Sequence, residues 1–250
     1  MELSERLAAI AEYVFQGETV ADIGTDHGLL PIFLLQRNIS PKVVLTDIKR
    51  GPLEKAKANL LAHAPDIEAD LRLGGGLEPM EKGEVDTVII AGMGGVMMTE
   101  ILAADQAKTR SYRKFILQPR NGRDKLRIWL YHNGYTISEE RLVREGKYIC
   151  EILVVDTSRY EERSKNDESY EKRLSNLEFE ISPLLFSSKE PLLKELLECR
   201  IKVEENIIAD ICEKGSESSL RELKKKKERL KRLRELEKQL ITQTLQIGGK

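Results

Sequence analysis

The residues best placed by type and spacing to do chemistry fall in four short runs. The first is Ala21-Asp22-Ile23-Gly24-Thr25-Asp26-His27-Gly28, at the end of a β-branched stretch. Glycines there let the chain turn tightly and let a ligand approach the backbone where the strands of a doubly wound sheet end. Gly24 is followed by Thr25 and Asp26, so the pyrophosphate-cradling pattern GxGxxG is not met and a nicotinamide dehydrogenase is disfavoured. A nucleoside cofactor without a pyrophosphate fits better. Asp47 ends the next β-branched run, where a carboxylate can accept both hydroxyls of a ribose, with Ile48 beside it. The third run, Ala91-Gly92-Met93-Gly94-Gly95, combines bare backbone with an adaptable apolar side chain suited to a flat ring, or else serves close packing of helix on strand. The fourth, Gln118-Pro119, brings an amide that can donate and accept, or that satisfies the loop backbone instead.

These runs must be positioned by a β-α-β framework. Thr19–Ile23, Val43–Asp47, Leu71–Leu73, Val85–Ala91 and Phe115–Leu117 alternate with helical stretches, as in a parallel sheet. Tyr135–Ile137 and Ile149–Val155 follow a helix around Leu126–Tyr131, so seven strands are expected. Leu3, Leu7, Ile10, Ala11 and Val14 recur at helical spacing before them, with Ser4 as N-cap. The polar run from Ser158 to Ser169 reads as a linker. Beyond it Leu174, Leu177, Ile181 and further apolar residues keep helical period. Leu223 to Leu230 and Leu233 to Leu240 are spaced by heptads, so the last two helices are expected to form an antiparallel coiled-coil hairpin turning near Gly215-Ser216. Lys226 and Glu237 interrupt the seam, and Ile241–Lys250 reads as a frayed tail. The expected division is residues 1–157, 158–245 and a tail at 246–250.

With 250 residues, 41 Lys+Arg against 42 Asp+Glu and 40% hydrophobic residues, the chain is long enough for one or two packed domains. No apolar run reaches membrane-helix length and the first residues are acidic, so a cytoplasmic protein is expected. Cys150, Cys199 and Cys212 form no paired motif and read as buried free thiols; no metal site is expected. His63 and His132 read as surface residues. Charge is uneven: from Arg221 to Arg234 nine basic residues face only Glu222 and Glu228. Such a segment is either a nucleic-acid-binding face or a solvated helix.

The chain resembles the bacterial S-adenosylmethionine-dependent methyltransferases that act on N1 of adenine 22 in tRNA. The resemblance runs through Leu3-Ser4-x-Arg6-Leu7, Ala21–His27, Gly74-x-Gly76-Leu77, Ile90–Gly95, Leu117-Gln118-Pro119 and Trp129-Leu130, within the first 155 or so residues. It implies an α/β class I methyltransferase with a Rossmann-like seven-stranded sheet and an appended α-helical coiled-coil hairpin. It also implies S-adenosylmethionine as cofactor and tRNA as partner, with neither membrane nor DNA; the coiled-coil hairpin is compatible with a monomer, which is expected. The cofactor is then expected at Asp22, Gly24, Thr25, Gly28, Asp47, Ile48, Gly75, Gly76, Leu77, Ala91, Gly92 and Met93. Members of the family can carry Gly-Asp-Gly-Leu where this chain has Gly74-Gly75-Gly76-Leu77, so an acidic side chain for the cofactor's adenine amine is missing.

Methyltransferases that modify an exocyclic amine resemble one another in an Asn/Asp-Pro-Pro-aromatic loop after the fourth strand, and Gly92–Gly95 is not such a loop. A ring nitrogen such as N1 holds an in-plane lone pair and no proton, so positioning matters more than a strong base. Gln118 is expected to hold the edge of the base, with Met93 and Pro119 against its face. Asp26 and His27 are expected to orient it or to take a proton at N6; His27 as a helix-start residue is the alternative. RNA contacts are expected from Arg6, Lys49, Arg50, Arg120, Arg123, Lys125 and Arg127 around the pocket, and from Lys224, Lys225, Lys227 and Lys231 on the hairpin. The competing readings are a methyltransferase for another nucleoside or a small molecule, and a noncatalytic RNA adaptor that binds the cofactor.

Overall fold

The structure, a computed structural model, describes residues 2–67, 69–162, 177–214 and 219–248. The expected linker's core Arg163–Glu168, the apolar Leu174 and the expected turn at Gly215-Ser216 lie outside these residues. The chain divides into two compact units, Met1–Glu168 and Ser169–Lys250. The division falls later than the expected boundary after Thr157, because the chain past that point is still tied to the first unit. Thr157 N–H donates to the Arg113 carbonyl, Glu161 N–H donates to the Gly134 carbonyl, and the Tyr160 ring packs edge-on to Tyr135.

In the first unit the strands are β1 (Val20–Ile23), β2 (Val43–Asp47), β3 (Asp70–Leu73), β4 (Thr87–Ala91), β5 (Lys114–Gln118), β6 (Thr136–Glu145) and β7 (Tyr148–Asp156). They form one sheet in the order β3-β2-β1-β4-β5-β7-β6, in which only β7 runs against the others, antiparallel to β5 on one side and to β6 on the other. The helices are α1 (Glu5–Ala11), α2 (Leu29–Gln36), α3 (Arg50–His63), α4 (Gly95–Ala104), α5 (Gln106–Thr109) and α6 (Arg123–His132). The central strands are apolar without alternation because both faces are covered. Along β4, Val88 and Ile90 join a core with Met98, Leu102, Leu126 and Leu130 of α4 and α6. Ile89 between them faces the other core, with Ile10, Leu34 and Ala56 of α1, α2 and α3. Ser4 caps α1 by accepting from the Leu7 N–H, as its position suggested. The strand run read at Tyr135–Ile137 extends to Glu145, because its charged residues pair with β7 on a partly open edge and a bulge near Ser138 shifts the register.

Two expectations about single side chains are corrected in this unit. Arg127 does not face RNA: it is 3% exposed and donates to Glu140 at 2.9 Å and Glu151 at 2.6 Å, tying α6 to the β6–β7 hairpin. Its place soon after the active-site strand suggested a position around the pocket, but α6 turns that side onto the hairpin. His132 is half-buried rather than at the surface, and burial lowers its pKa. The thiols, expected to be buried, are not: Cys150 is half-buried, and Cys199 and Cys212 of the second unit are exposed.

The second unit has a 3-10 turn at Leu177–Phe179 and helices α7 (Pro183–Ser187), α8 (Leu193–Lys214) and α9 (Ser219–Gly248). Ser182 caps α7, accepting from the Leu184 N–H, with proline in the first turn where no N–H is needed. Arg229 of α9 pairs with Glu204 of α8, the first as far from the start of its helix as the second is from the end of its own, so the two helices run antiparallel. Leu196, Leu197, Ile201 and Leu233 are buried. Lys226, read as a break in the apolar seam, reaches 1% exposed Glu204 at 3.4 Å, so the interruption is an ion cluster around a buried carboxylate. The helix continues through Gly248, past the expected start of the tail, because no proline or earlier glycine stops it.

Removing the guanidinium of Arg127 leaves Glu140 and Glu151 buried and facing each other. Arg127→Met is expected to lower unfolding free energy by about 3–5 kcal/mol in urea titration at neutral pH, and a further Glu140→Gln to restore part of it.

Candidate active site

The strand order reverses at β1, which lies between β2 and β4, and loops leaving β1 and β4 part to opposite faces. A crevice opens at the carboxyl ends of strands where this happens. Here it is a cavity of about 1070 Å3, slightly larger than the roughly 300–1000 Å3 of a typical ligand pocket. All the residues expected to do chemistry line it: Asp26, His27, Met93, Gln118 and Pro119. So do Asp22, Gly24, Thr25, Asp47, Ala91 and Gly92 among those expected to bind a cofactor.

Asp22, the last residue but one of β1, has its side chain out of water, and burial raises its carboxyl pKa to about 6. Thr25 and Arg6 pull it back in part, and the charge of Asp47 pushes it further up. After it the chain turns sharply. Gly24 has φ +76, and a Cβ there would lie 2.3 Å from the Met93 methyl, so the glycine serves both the turn and the close approach of the β4 loop. Asp26 itself adopts a positive φ of 48, unusual for a residue with a side chain, which sets it and His27 at the mouth. The His27 Nε2 lies 3.5 Å from an Asp26 oxygen, and both side chains are about half exposed or more. At the end of β2 the Asp47 carboxylate accepts from the Lys49 N–H at 2.8 Å, which fixes its orientation.

Gln118 fulfils both readings made of it. It lines the cavity at 2% exposure, and it satisfies the loops. Its Oε1 accepts from Arg6 Nη1 at 3.1 Å and from the Gly92 N–H at 3.2 Å, while its Nε2 donates to the Pro119 carbonyl at 3.2 Å. With its oxygen taken by two donors, Gln118 meets a ligand as a donor, not as the two-way group its type alone suggested.

Several expected residues sit elsewhere. Gly28, Ile48, Gly75, Gly76 and Leu77 do not line the cavity. Gly28 starts α2 where a Cβ would press on Ala56 of α3 at 2.9 Å, and Leu77 is a core residue. A Cβ on Gly76 would meet Ile101 of α4 at 2.9 Å, so this glycine serves packing. Arg6 is no open RNA contact: it lines the cavity, paired with Glu145 at 2.7 Å and with Gln118. Arg123 also lines the wall, paired with Glu151 at 3.0 Å. Lys49, Arg50, Arg120 and Lys125 are exposed as expected. In the second unit Lys224, Lys225, Lys227 and Lys231 are exposed along α9. Sequence reasoning missed Glu145, Tyr148 and Cys150, which reach the cavity from the β6–β7 hairpin. The spacing of Arg6 and Gln118 gives no sign of this, since it is strand pairing across the sheet that brings them to Glu145.

The raised pKa of Asp22 has a consequence for stability. A carboxyl whose folded pKa lies above its unfolded value stabilises the fold fully below about pH 3.8 and loses that contribution as pH rises through about 6. Asp22→Asn is therefore expected to stabilise the protein by about 3 kcal/mol near pH 8 and by far less near pH 4, read from thermal unfolding across that range.

Residues 3–153 match the family model described as a methyltransferase domain. The chain is 35% identical over 156 residues to the tRNA (adenine(22)-N(1))-methyltransferase of Bacillus subtilis, a match covering 62% of this chain and 66% of that relative, just under two thirds of its length. The crystal structure of the B. subtilis m1A22 tRNA methyltransferase TrmK superposes with a TM-score of 0.78 at 29% identity, covering 94% of this chain and 99% of that one. The Streptococcus pneumoniae protein Sp1610, solved in complex with S-adenosyl-L-methionine, superposes with a TM-score of 0.73 at 28% identity, covering 92% of this chain and all of that one. A seven-stranded sheet with its cavity at the strand-order reversal, carried by a chain whose residues 3–153 match the family model, places the protein plainly: it belongs to the methyltransferase-domain family.

Proposed function

We propose that this chain transfers a methyl group from S-adenosylmethionine to N1 of adenine 22 in tRNA. The observation that carries the reading is one cavity at the carboxyl edge of the sheet that combines two carboxylates suited to a nucleoside with a β4 loop bare of side-chain acceptors. The names of its relatives support the substrate, and the bound ligand of the S. pneumoniae structure supports the cofactor.

The residues present fit S-adenosylmethionine. Asp22 is a carboxylate kept from water, which a cationic ligand would stabilise in its charged form. Asp47 is oriented for ribose hydroxyls, and Met93 gives an apolar wall beside the Gly24 turn. The bound cofactor supplies a methyl group activated by its sulfonium. Gly92–Gly94 let the acceptor base approach the backbone, and Gln118 donates to a ring nitrogen other than N1, leaving the N1 lone pair free to attack. Pro119 packs against the face of the base. The chain's task is to align that lone pair with the methyl carbon at about 3–3.5 Å, since N1 has no proton to remove before attack. The new N–C bond forms as the C–S bond breaks, its electron pair staying on sulfur. Methylation leaves a cationic adenine, and Asp26 with His27 at the mouth receives the proton it sheds at N6.

N1 is a Watson–Crick position, so the base must enter unpaired or be drawn from its stack. Phosphate contacts come from exposed Lys49, Arg50 and Arg120 around the cavity and from the basic face of α9. No described helix is long and apolar enough to cross a membrane. The protein acts on tRNA in the cytoplasm as a monomer in this reading.

With labelled S-adenosylmethionine and unmodified bacterial tRNA, label is expected in 1-methyladenosine after nuclease digestion and to vanish when adenine 22 is replaced. Label in N6-methyladenosine, or none, would refute the assignment. Replacing Lys224, Lys225, Lys227 and Lys231 together by Glu is expected to weaken tRNA binding about tenfold or more at low salt. The salt slope should become shallower by about one for each phosphate that is no longer neutralised.

A further inference from the structure

The carboxyl ends of β2 and β3 form a shelf beside Asp47. Gly74 N–H donates to the Asp47 carbonyl at 3.0 Å, holding the turn after β3 against the end of β2. Ile48, next in the chain, is 71% exposed, and its Cδ1 lies 3.6 Å from where a Cβ on Gly75 would stand. Glu78 N–H donates to the Gly75 carbonyl at 3.0 Å, and this turn folds the Glu78 carboxylate back over Gly75. One of its oxygens lies 3.5 Å from the Gly75 nitrogen and 3.9 Å from that same Cβ position. The Gly75 N–H donates to that oxygen at the outer limit of hydrogen-bond length, a weak contact that a better-placed ligand can displace.

What results is a donor and an acceptor side by side next to an exposed apolar side chain. The Watson–Crick edge of adenine is their complement, with an N6 amine that donates beside an N1 that accepts, on a flat ring that an aliphatic side chain can cover. A ribose held by Asp47 leaves its base one sugar away, at the end of the neighbouring strand.

We propose that Glu78, acting with the Gly75 N–H and the Ile48 side chain, reads the adenine ring of the methyl donor and takes the place of the acidic side chain that position 75 lacks. The inference rests on the S-adenosylmethionine reading. It makes Glu78 a specificity residue of the cofactor site, reached from three residues along the chain by a turn. A 6-oxo purine would present an oxygen acceptor to the carboxylate and an N–H to the Gly75 N–H, two mismatches at once.

Calorimetric binding of S-adenosyl-L-homocysteine and of its 6-oxo counterpart, S-inosyl-L-homocysteine, to the full chain tests this without turnover. The unaltered protein is expected to prefer the adenosyl ligand by about tenfold or more. Glu78→Ala is expected to weaken the adenosyl ligand by about tenfold and the inosyl ligand by less than about twofold, so that the preference collapses while retained inosyl binding shows the fold intact. Gly75→Asp in that background should bring the preference back, because Gly75 has an ordinary φ and nothing closer than 3.6 Å to an added Cβ. Equal weakening of both ligands by Glu78→Ala, or no weakening of either, overturns the proposal while the methyl-donor reading stands. Failure of the unaltered protein to bind the adenosyl ligand overturns both.

Discussion

A carboxylate held out of water at the end of β1 is the constraint around which the first unit is arranged. Asp22 lies where strand order reverses, so the loops that would otherwise cover it diverge and leave it facing a cavity. Its raised pKa records the cost of keeping a charge there without a ligand. The fold tolerates that cost because the strands on either side are buried on both faces and supply a rigid floor. Stability is surrendered at one point and recovered across two apolar cores, the usual relation between a binding site and its scaffold.

The second fixed point is the amide of Gln118. Three elements meet on it: Arg6 from α1, the Gly92 N–H from the β4 loop, and the Pro119 carbonyl from its own. Arg6 is in turn held by Glu145 on the far hairpin. The opening helix therefore does more than cover the sheet. It sets which end of a buried amide faces the cavity.

The strands were legible because a buried parallel sheet writes itself as unbroken apolar runs, and Thr87–Ala91 or Val43–Asp47 admit no other periodicity. The glycine turn at Gly24 and the carboxylates at Asp22 and Asp47 were legible for the same reason: they interrupt such runs at their carboxyl ends. Arg127 was misread because charge near an active-site strand was taken for exposure, whereas a helix presents two sides and Glu140 and Glu151 stand on the buried one. Glu145 and Cys150 were invisible because antiparallel pairing, not local sequence, carries the β6–β7 hairpin to the cavity. The Glu78 carboxylate went unread because it arrives by a turn from outside the glycine run.

The charges divide the labour between the two units. Four carboxylates line the cavity, Asp22, Asp26, Asp47 and Glu145, against three arginines, and of those Arg6 is committed to Glu145 and Arg123 to Glu151. Such a cavity holds no excess of positive charge to draw a phosphate backbone inward. It suits a cationic, phosphate-free ligand and a neutral base. The excess sits on α9, where Lys224, Lys225, Lys227 and Lys231 are exposed, while Arg229 and Lys226 are spent on Glu180 and Glu204. In the proposed reading a polyanion meets the exposed lysines of α9 together with Lys49, Arg50 and Arg120, while the cavity itself takes a base. Affinity for the polymer and recognition of the reacting base respond to different conditions: salt weakens the first by screening and counterion release, and leaves the second, made of short contacts in a partly closed cavity, much less changed.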